Sequence, residues 1–510
     1  MMADTVVIIG SGIGGLCCGA LLAKYGFEVT VCESHAIAGG AAHGFERDGY
    51  KFDSGPSLYS GMSYSPSTNP LKQVLDAIEE DAEWLNYDVW GCLLPEGRFD
   101  MAVGADDFCR VLQDLRGEEA VRQWRKLQET MQPLADAVNA IPPLAIRYDL
   151  AAIKSVLPYL PNTFWHLPNI LRLTGAFGNI LNEVVTDPFI RNWMDLLSFL
   201  LSGLPASGTS GAEMAFMFAE WYKPGVVLDY PVGGSDALVQ ALVRGLEKYG
   251  GKLLLNSHVE QIIVENKRVT GVKLKNGNTI KASTVISNAS VWDTLPLIPD
   301  DAVPQSWRKE KAQTPECESF MHLHLGIDAA GLDKLQCHYI VVNDWEQGVT
   351  APQNVVVVSI PSVLDPSLAP EGKHVIHVYT PGNEPYEIWQ GLKRNTPEYL
   401  ELKQARSRVM YEGLERVIPD LRERIEVELI GTPLTHSRYL RRHHGSYGPA
   451  IEAGKALFPA ANTPLPGLLC CGDSTFPGIG LPAVAASGAI AANTLAPIDK
   501  HLAMLRKVTK

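Results

Sequence analysis

Several glycines and one carboxylate near the amino terminus have the types and the spacing that bind a dinucleotide. The turn contains Gly10, Gly12 and Gly15 and follows directly on an apolar run from residue 5 to residue 9. Gly10 allows a tight turn, Gly12 lets the backbone approach a pyrophosphate, and Gly15 lets the next helix pack closely on the strand. The phosphates would then lie at the positive amino terminus of that helix. Glu33 ends a second apolar run, 23 positions after Gly10, where a carboxylate can accept both ribose hydroxyls.

A second glycine-rich segment, near the carboxyl end, carries groups that a flavin nucleotide needs. The apolar run 467–471 stops at Gly472 and Asp473, and a loop ending in Gly480 then opens a helix of small residues. Asp473 would accept hydrogen bonds from ribityl hydroxyls, and the amides at the helix start would face the flavin pyrimidine. An aspartate at this position also fits a simple helix cap. Because a nicotinamide enzyme would use only the amino-terminal unit, the two ends together predict FAD.

Polar side chains just before this terminal segment are the candidates for chemistry beside the flavin. They are His436, Arg438 and Tyr439, with Arg441 and Tyr447 as further polar support. A cluster of this composition also fits a solvated surface loop with ion pairs, and the sequence leaves both interpretations open. The chain has one GxGxxG turn, so no separate NAD(P) domain is evident. Electrons would therefore pass to a diffusible acceptor or a membrane quinone.

The apolar patterning indicates the helices and strands that must position these residues, and it predicts an α/β fold. The first unit reads as strand, helix and strand, and residues from about 70 to 225 look mainly helical. The run 252–255 reads as a strand, and residues 258–281 alternate like a hairpin around Asn276-Gly277. The stretches 39–44 and 50–56 read as loops that return to the cofactor. We predict a Rossmann-like FAD-binding domain in three parts, 1–75, 226–298 and 431–510, interleaved with a helical substrate and membrane-contact region, 76–225, and a mixed-sheet substrate domain, 299–430.

Length, charge and cysteine content exclude several classes of protein. The chain has 510 residues, 46% of them hydrophobic, which is enough for a large core and too many for a small binding module. Its net charge is -13 and its basic residues are scattered, so nucleic acid is not an expected partner. The nine cysteines show no CxxC spacing, which indicates reduced, mostly buried thiols and not a disulfide or zinc framework. The first strand begins close to Met1, so we expect no export signal.

One stretch of the helical region is depleted in charge. From Ala151 to Asn182 only Lys154 and Arg172 carry a formal charge, and Tyr159, Phe164, Trp165 and Phe177 supply aromatic rings. A segment that dips into the lipid interface has this composition, and so does an ordinary helical core broken by prolines. No run of 18 apolar residues exists, so a spanning helix is not expected.

Long matches in loops give the chain a resemblance to a known family. The matching stretches are 230–234, 287–294, 359–372, 431–440 and 472–478. Over nearly its full length the chain resembles the FAD-dependent carotenoid isomerases and the bacterial-type phytoene desaturases, within the amine-oxidase-like flavoproteins. Asp53-Ser54-Gly55-Pro56 and Gly480-Leu481-Pro482-Ala483 are more similar to the desaturases. Ala41 departs from the pattern because many relatives have an arginine there, and His43 is a candidate to compensate.

The resemblance implies a FAD enzyme that acts on a carotenoid, with a carotenoid cis-trans isomerase as the first expectation. Reduced FAD would share charge with the polyene and lower the order of a double bond so that it rotates. A carotenoid desaturase, and a flavoprotein for another isoprenoid or retinoid, are the alternatives. An apolar polyene has to be taken from lipid, which implies a peripheral position on the cytoplasmic side of a cyanobacterial or plastid-type membrane. The expected cofactor-binding residues are Gly10, Gly12, Ile13, Gly14, Gly15, Glu33, Gly40, Ala41, Val259, Asn288, Gly472, Asp473, Gly480 and Leu481.

Overall fold

The computed structural model describes residues 4–161, 169–223 and 225–509, and these form five sheets with helices between them. In chain order the strands are β1 Thr5–Ile9, β2 Glu28–Cys32, β3 Gly44–Arg47, β4 Tyr50–Asp53, β5 Tyr59–Ser60, β6 Trp84–Tyr87, β7 Val89–Leu94, β8 Gly97–Ala102, β9 Leu228–Pro231, β10 Lys252–Leu254, β11 Val259–Glu265, β12 Arg268–Leu274, β13 Thr279–Lys281, β14 Thr284–Ser287, β15 Ser319–Asp328, β16 His338–Val342, β17 Val355–Ser359, β18 Lys373–Glu384, β19 Ile425–Gly431 and β20 Leu468–Cys470. The α-helices are α1 Ile13–Tyr25, α2 Pro70–Ile78, α3 Ala105–Arg116, α4 Glu118–Asn139, α5 Ala152–Val156, α6 Ile170–Thr174, α7 Phe177–Val184, α8 Pro188–Ser202, α9 Gly211–Trp221, α10 Ser235–Lys248, α11 Val291–Thr294, α12 Gln305–Ala312, α13 Pro397–Glu415, α14 Leu421–Arg424, α15 Pro433–Leu440, α16 Leu481–Leu495 and α17 Ile498–Val508.

A five-stranded parallel sheet positions both glycine-rich segments. Its order is β10-β2-β1-β14-β20, so its strands come from the beginning, the middle and the end of the chain. Because the carboxyl ends of parallel strands share one edge of a sheet, the residues that follow them meet there. Those residues are Gly10, Glu33, Asn288 and Gly472. The prediction of an α/β fold is confirmed, and this edge is where a dinucleotide would lie.

Helices cover the parallel sheet with small apolar side chains. Nearly all of α1 is buried, and α16 and α10 pack against it. Gly19 allows this close packing, because a Cβ there would meet side chains of Ile8, Val31 and Leu246 at 3.1 to 3.3 Å. All nine cysteines are free thiols, and several of them lie in this core.

A seven-stranded mixed sheet forms the second large layer, with the order β19-β15-β18-β17-β16-β7-β8. All of its neighbours pair antiparallel except β16 and β7. The prediction that residues from about 70 to 225 are mainly helical holds for the described residues, but it missed strands β7 and β8. In β8, Phe99 and Met101 are less exposed than Arg98 and Asp100, and the apolar run 89–94 lies in the core. Short apolar runs of this length fit a buried strand as well as a helix.

A smaller hairpin corrects a second prediction. Strands β3 and β4 pair antiparallel where the sequence was read as cofactor loops. Phe45 and Phe52 are opposed in this hairpin with stacked rings, 5.3 Å between centroids, and this cross-strand contact supports the pairing. The segments 40–43 and 54–56, on either side of the hairpin, are the ones that return to the parallel sheet.

The helical region has an aromatic core. Trp90, Phe108, Trp124 and Trp193 lie within it, with ring centroids 4.5 Å apart for Phe108 and Trp124 and 5.6 Å apart for Phe108 and Trp193. In the part of the chain that the structure describes, no helix has the length and apolar content to cross a membrane. Phe164 and Trp165, part of the predicted interfacial segment, lie outside the described residues. Near that segment, large apolar side chains are exposed: Leu150, Ile153, Leu157, Ile170 and Leu171.

Candidate active site

A cavity of about 750 Å³ lies at the carboxyl edge of the parallel sheet. Each predicted cofactor-binding residue except Gly15 lines it, so the structure brings the two ends of the chain together around one space. Gly15 lies behind the cavity wall, and a Cβ there would be 2.2 Å from the carbonyl oxygen of Gly10. No real Cβ approaches an oxygen so closely, so glycine is required for the helix to pack on the turn.

Helix α1 points its amino terminus into this cavity. Its N-cap is Gly12, which offers no side-chain cap, so first-turn amides such as those of Ile13 and Gly14 are not capped by a side chain. Gly40 lies opposite, and a Cβ there would be 3.0 Å from the Cα of Gly12. An uncapped helix amino terminus lined by glycine backbone attracts an anion, and its size and polarity suit a pyrophosphate.

Asn288 is in contact with both glycine segments. A Cβ on Gly12 would lie 2.9 Å from the Asn288 Nδ2. A Cβ on Gly14 would lie 2.7 Å from the Asn288 Oδ1, and a Cβ on Gly472 would lie 2.9 Å from the same oxygen. Its own amide donates to the carbonyl of Ile9 at 2.9 Å. Asn288 therefore fixes the distance between the amino-terminal turn and the carboxyl-terminal segment.

Glu33 sits at the end of β2 and is almost fully buried. Its Oε2 accepts from the Ser11 amide at 2.9 Å and from the Ser11 hydroxyl at 2.7 Å, and its Oε1 accepts from the His35 amide at 2.8 Å. These donors fix the orientation of the carboxylate. The Ser34 hydroxyl also donates to Oε1, at 3.4 Å, the long end of a hydrogen bond. Because this hydroxyl can rotate to another partner, a ribose hydroxyl can take its place as the second donor to Oε1.

A second helix amino terminus opens on the same cavity. Helix α16 begins at Leu481 after the N-cap Gly480, which has a φ of 99° and no side-chain cap. Nearby, the guanidinium of Arg442 lies 2.5 Å from the carboxylate of Asp473. Two uncapped helix amino termini, separated by the Asn288 contact, match two polar parts of FAD, the central pyrophosphate and the pyrimidine of the flavin ring. The residues present therefore fit FAD.

One end of the cavity is aromatic. We call Phe320, His322, Tyr379, His436 and Tyr447 the aromatic wall, and each of them lines the cavity. His322 and His436 stack with centroids 4.4 Å apart and planes 5° apart, and Phe320 stacks on both. The Tyr447 hydroxyl donates to the carbonyl of Leu200 at 2.9 Å, which ties the wall to helix α8. Flat rings with few free polar atoms suit an apolar, conjugated ligand.

The histidines of the wall are neutral. Burial, with the charge of Arg442 as a smaller cause, lowers the pKa of His436 to about 3. Burial also holds the pKa of His322 well below its ordinary value, and the neighbouring histidines add to this effect. At neutral pH the aromatic wall therefore has no cationic imidazole and no group with the basicity of a free histidine.

The structure separates the three predicted catalytic residues. His436 belongs to the aromatic wall. Tyr439 lines the cavity near Glu33, where its ring meets that of His35 at 5.7 Å, so it is placed for the nucleotide and not for the flavin ring. Arg438 is exposed, is not among the lining residues, and its guanidinium lies 5.5 Å from the Tyr439 ring, because helix α15 directs it away from the cavity. The catalytic prediction for Arg438 is corrected accordingly.

Other lining residues were not found from the sequence. Arg442, which pairs with Asp473, lies in the polar cluster that was considered, but Phe320 and His322 lie on β15 in a stretch that no motif marks. The alternation of His322, Leu323, His324 and Leu325 was the available signal. A strand that buries polar and apolar side chains on opposite faces has this pattern.

Three buried histidines come close enough to raise the possibility of a metal site. Ligand nitrogens of His322, His324 and His377 lie within 4.8 Å of one another. The rings of His324 and His377, however, are 5° from parallel with centroids 4.4 Å apart. Imidazole lone pairs lie in the ring plane, so two rings stacked face to face cannot both direct one at the same ion. In this arrangement the cluster is a ring stack and not a metal centre.

Comparisons with known proteins extend over the whole of this architecture. A family model described as flavin containing amine oxidoreductase matches residues 13–496. The chain is 32% identical to prolycopene isomerase 2, chloroplastic, of an Oncidium hybrid cultivar, over 96% of this chain and 83% of the relative. It is 26% identical to the phytoene desaturase (lycopene-forming) of Paracoccus sp., over 97% of each chain. An oxidoreductase from Methanosarcina mazei has a similar fold, with a TM-score of 0.62 at 19% identity over 95% of this chain and 98% of that one.

Proposed function

The chain belongs to the flavin-containing amine oxidoreductase family, in the group of the carotenoid isomerases and desaturases, and from this premise we propose that it is a FAD-dependent carotenoid cis-trans isomerase. The similarity to prolycopene isomerases supports this reaction more strongly than the similarity to desaturases does. FAD is its cofactor.

The observation that carries the proposal is the neutral aromatic wall at one end of the cofactor cavity. Removing a proton from a carbon of an apolar chain needs a base, and burial leaves His322 and His436 poor ones. Rotation about a double bond needs no net proton transfer. Stacked rings that hold a polyene in place, without a basic group, favour isomerisation.

Each part of the cavity has a separate task in this proposal. FAD, when bound, supplies the redox-active ring that exchanges charge with the conjugated chain. The amides at the start of α1 bind its pyrophosphate, Glu33 binds a ribose, and the start of α16 faces its pyrimidine. Phe320 and His436 orient the polyene, and the hydrogen bond from Tyr447 to Leu200 helps to keep water out of this end of the cavity.

A carotenoid desaturase is the second candidate. The similarity to the Paracoccus desaturase covers 97% of both chains, and Asp53-Ser54-Gly55-Pro56 resembles the desaturase pattern. A desaturase removes two hydrogens from a single bond to form each new double bond, so the two electrons must reach an acceptor. This alternative requires a diffusible acceptor or a membrane quinone.

A peripheral position on a membrane completes the proposal. Leu171 and Ile153 are 83% and 73% exposed, and Leu150 is almost fully exposed. Their helices α5 and α6 flank a segment with few charges, and Arg172 is paired with Glu183. Large apolar side chains that stay exposed on a folded protein mark a contact with lipid or with another protein. We propose that the exposed side chains of α5 and α6 enter the lipid interface on the cytoplasmic side, where the polyene is dissolved.

Incubation with a poly-cis lycopene tests the function directly. The purified FAD protein is mixed anaerobically with the substrate, once with oxidised and once with chemically reduced FAD, and the products are resolved by chromatography and mass spectrometry. We expect all-trans product of unchanged mass with the reduced cofactor. Product that has lost two hydrogens would instead establish the desaturase. Unchanged substrate under both conditions, with FAD fully bound, would contradict both and leave another isoprenoid or a retinoid as the ligand.

A further inference from the structure

Two arginines follow each other where helix α15 ends, and they lie in different parts of the cavity. Among the described residues that line it, Arg441 and Arg442 are the basic side chains other than histidine. Arg441 has a left-handed backbone, with φ 52° and ψ 36°, which ends the helix and turns the chain. Burial, with the charge of Arg441 as the next cause, lowers the pKa of His258, which precedes strand β11. Arg441 therefore acts near β11, beside the predicted nucleotide contact Val259.

Arg442 lies in the part of the cavity where the flavin ring is expected. Its Nη2 lies 2.5 Å from Oδ2 of Asp473, the group expected to bind the ribityl chain. Its charge is also a cause, after burial, of the lowered pKa of His436 in the aromatic wall. The flavin ring is attached to the ribityl chain, and the polyene would lie against that ring at the wall. The Arg442 guanidinium therefore acts on the space in which the redox-active ring would lie.

The protein fixes the Arg442 guanidinium before any ligand binds. Its Nε donates to the carbonyl of Ser446, and its Nη2 donates to the carbonyl of Tyr447 at 2.7 Å. On the other side of the ion pair, the Ser474 hydroxyl donates to Oδ1 of Asp473 at 3.1 Å. The arginine side chain is 20% exposed, so it is open to the cavity but mostly removed from bulk water. A charge held in this way needs no reorganisation when the charge of a ligand changes.

Reduction of a flavin changes the charge next to this arginine. Two electrons and one proton together add one negative charge to the ring. A fixed cation nearby stabilises that charge, and the positive amino terminus of α16 acts in the same direction. Asp473 opposes part of the effect, but without the arginine its carboxylate would act alone and disfavour reduction. Loss of the Arg442 charge should therefore shift FAD towards the oxidised state.

We propose that Arg442 stabilises reduced FAD relative to oxidised FAD and so keeps the protein in the state that double-bond rotation uses. The inference rests on the proposed isomerase function and deepens it. Rotation consumes no electrons, so a cofactor that stays reduced can serve many turnovers after a single reduction.

Equilibrium reduction of the FAD protein by dithionite, beside a reference dye of known potential, tests the role of Arg442 without any carotenoid. The variants are Arg442→Gln and Arg442→Lys, and the matched control is Arg438→Gln, at an exposed arginine of the same helix outside the cavity. We expect the ratio of reduced to oxidised FAD at a fixed potential to fall at least tenfold in Arg442→Gln, which is about 30 mV for a two-electron couple. Arg442→Lys keeps the charge and should stay within about threefold of the parent protein, and Arg438→Gln should match it.

A change at the partner residue should have the opposite sign. Asp473→Asn leaves the arginine without its counter-charge, so the ratio of reduced to oxidised FAD should rise. This variant decides the matter if Arg442→Gln does not fold, because a ratio that stays the same or falls in Asp473→Asn would overturn the proposal.

Weak FAD binding by a variant leaves a second measurement. The Kd of its apoprotein for oxidised and for reduced FAD gives the same comparison by linkage, since a shift in potential equals the ratio of the two changes in affinity. In Arg442→Gln the Kd for reduced FAD should rise at least tenfold more than the Kd for oxidised FAD, and equal rises would overturn the proposal.

Three further results would overturn it. They are an unchanged potential in Arg442→Gln, an equal fall in Arg442→Gln and Arg442→Lys, which would assign the effect to hydrogen-bond geometry, and an equal fall in Arg438→Gln, which would assign it to the net charge of the protein. Failure of the parent protein to isomerise poly-cis lycopene, with a potential that falls as expected in Arg442→Gln, would overturn the proposed function and leave the effect of Arg442 on FAD standing.

Discussion

Asn288 is the single side chain on which the amino-terminal and carboxyl-terminal glycine segments depend together. Its amide group lies within van der Waals reach of the positions where Gly12, Gly14 and Gly472 would carry a Cβ. A polar, flat side chain fills this narrow space and leaves the glycine amides facing the cavity. A branched apolar side chain has a different shape and no amide group.

Replacing this residue should therefore release the cofactor. In Asn288→Leu, the two leucine methyl groups would press against Gly12 and Gly14 and displace the turn that binds the pyrophosphate. We expect the Kd for FAD to rise roughly a hundredfold, which corresponds to about 3 kcal/mol. Titration of the apoprotein, followed by quenching of FAD fluorescence, measures it. Asn276→Leu, in the turn after β12, is the control, and equal affinities of the two variants would contradict the role of Asn288.

At the residue scale, the sequence predicted the glycines whose backbone lines the cofactor cavity. It missed residues such as His322, whose side chains form the aromatic wall. The sequence reveals Gly10, Gly12 and Gly15 because a tight turn and close packing exclude every other residue type. It does not reveal His322, because the place of this residue in the cavity depends on how β15 lies beside β18. Arg438 was included only because it lies near His436 in the chain.

Helix α1 illustrates how an element delivers amides to the cofactor. Two of its glycines face different neighbours: Gly15 faces the backbone of the glycine turn, and Gly19 faces the ends of flexible side chains. The backbone cannot move without opening the turn, whereas side-chain ends can shift by a few tenths of an ångström. The same chemical change should therefore be much more damaging at Gly15 than at Gly19.

We expect Gly15→Ala to destabilise the protein by about 1–3 kcal/mol and to lose FAD, because the new Cβ overlaps the Gly10 oxygen. Gly19→Ala should change stability by less than about 1 kcal/mol, since the tight contact is offset by the higher helix propensity of alanine. Thermal unfolding of both holoproteins, with their FAD content, provides the measurement. A Gly19→Ala protein as damaged as Gly15→Ala would refute the distinction.

Elements with long or regular patterns were predicted well, and short apolar ones were not. Helix α16 begins and ends where the small-residue run predicts, and the hairpin residues 259–281 form strands β11 to β13. Strands β7 and β8 were assigned to the helical region because 89–94 is a short apolar run without a period of its own. It is a strand because it pairs with β8, the next strand in the chain, and with β16, which is more than 200 positions away and leaves no trace in the local sequence.

The exposed apolar side chains of α5 and α6, called the apolar patch here, are not explained by the core of the described part of the chain. If this patch enters the lipid interface, the double change Ile153→Glu with Leu171→Glu should weaken membrane binding. Loss of two buried apolar side chains corresponds to about 3 kcal/mol, or roughly a hundredfold in partition. Flotation with phosphatidylcholine–phosphatidylglycerol vesicles measures this.

The matched control is Leu400→Glu, at a leucine that is 49% exposed on helix α13. It should bind vesicles as the parent protein does. Equal binding of all three proteins would show that the patch does not touch lipid. A stable dimer of the parent protein, abolished by the double change, would assign the patch to protein contact instead.

Acid should destabilise the fold through its buried imidazoles. Burial lowers the pKa of His324 to about 4 and of His338 to about 3, against about 6.5 in an unfolded chain. Between these values the unfolded chain binds protons that the folded chain does not, so stability is full above about pH 6.5 and is lost as the pH falls. Each such histidine contributes about 1.4 kcal/mol per pH unit in this window.

The change His338→Gln should remove one of these protons. Urea unfolding at several pH values between 7 and 5 should give a slope of stability against pH that is shallower by about 1 kcal/mol per unit than in the parent protein, since the unfolded histidine titrates within this range. Identical slopes would mean that His338 binds a proton as readily in the folded protein as in the unfolded chain.

The cofactor cavity is assembled from the beginning, the middle and the end of the chain, and this has a consequence for synthesis. When a ribosome has made the first four hundred residues, the turn that binds the pyrophosphate has been synthesised. Helix α16 and Gly472, which contacts Asn288, have not. Tight FAD binding must therefore wait until nearly the entire polypeptide has emerged. A prematurely terminated product would remain colourless, so the yellow cofactor acts as a check on complete translation.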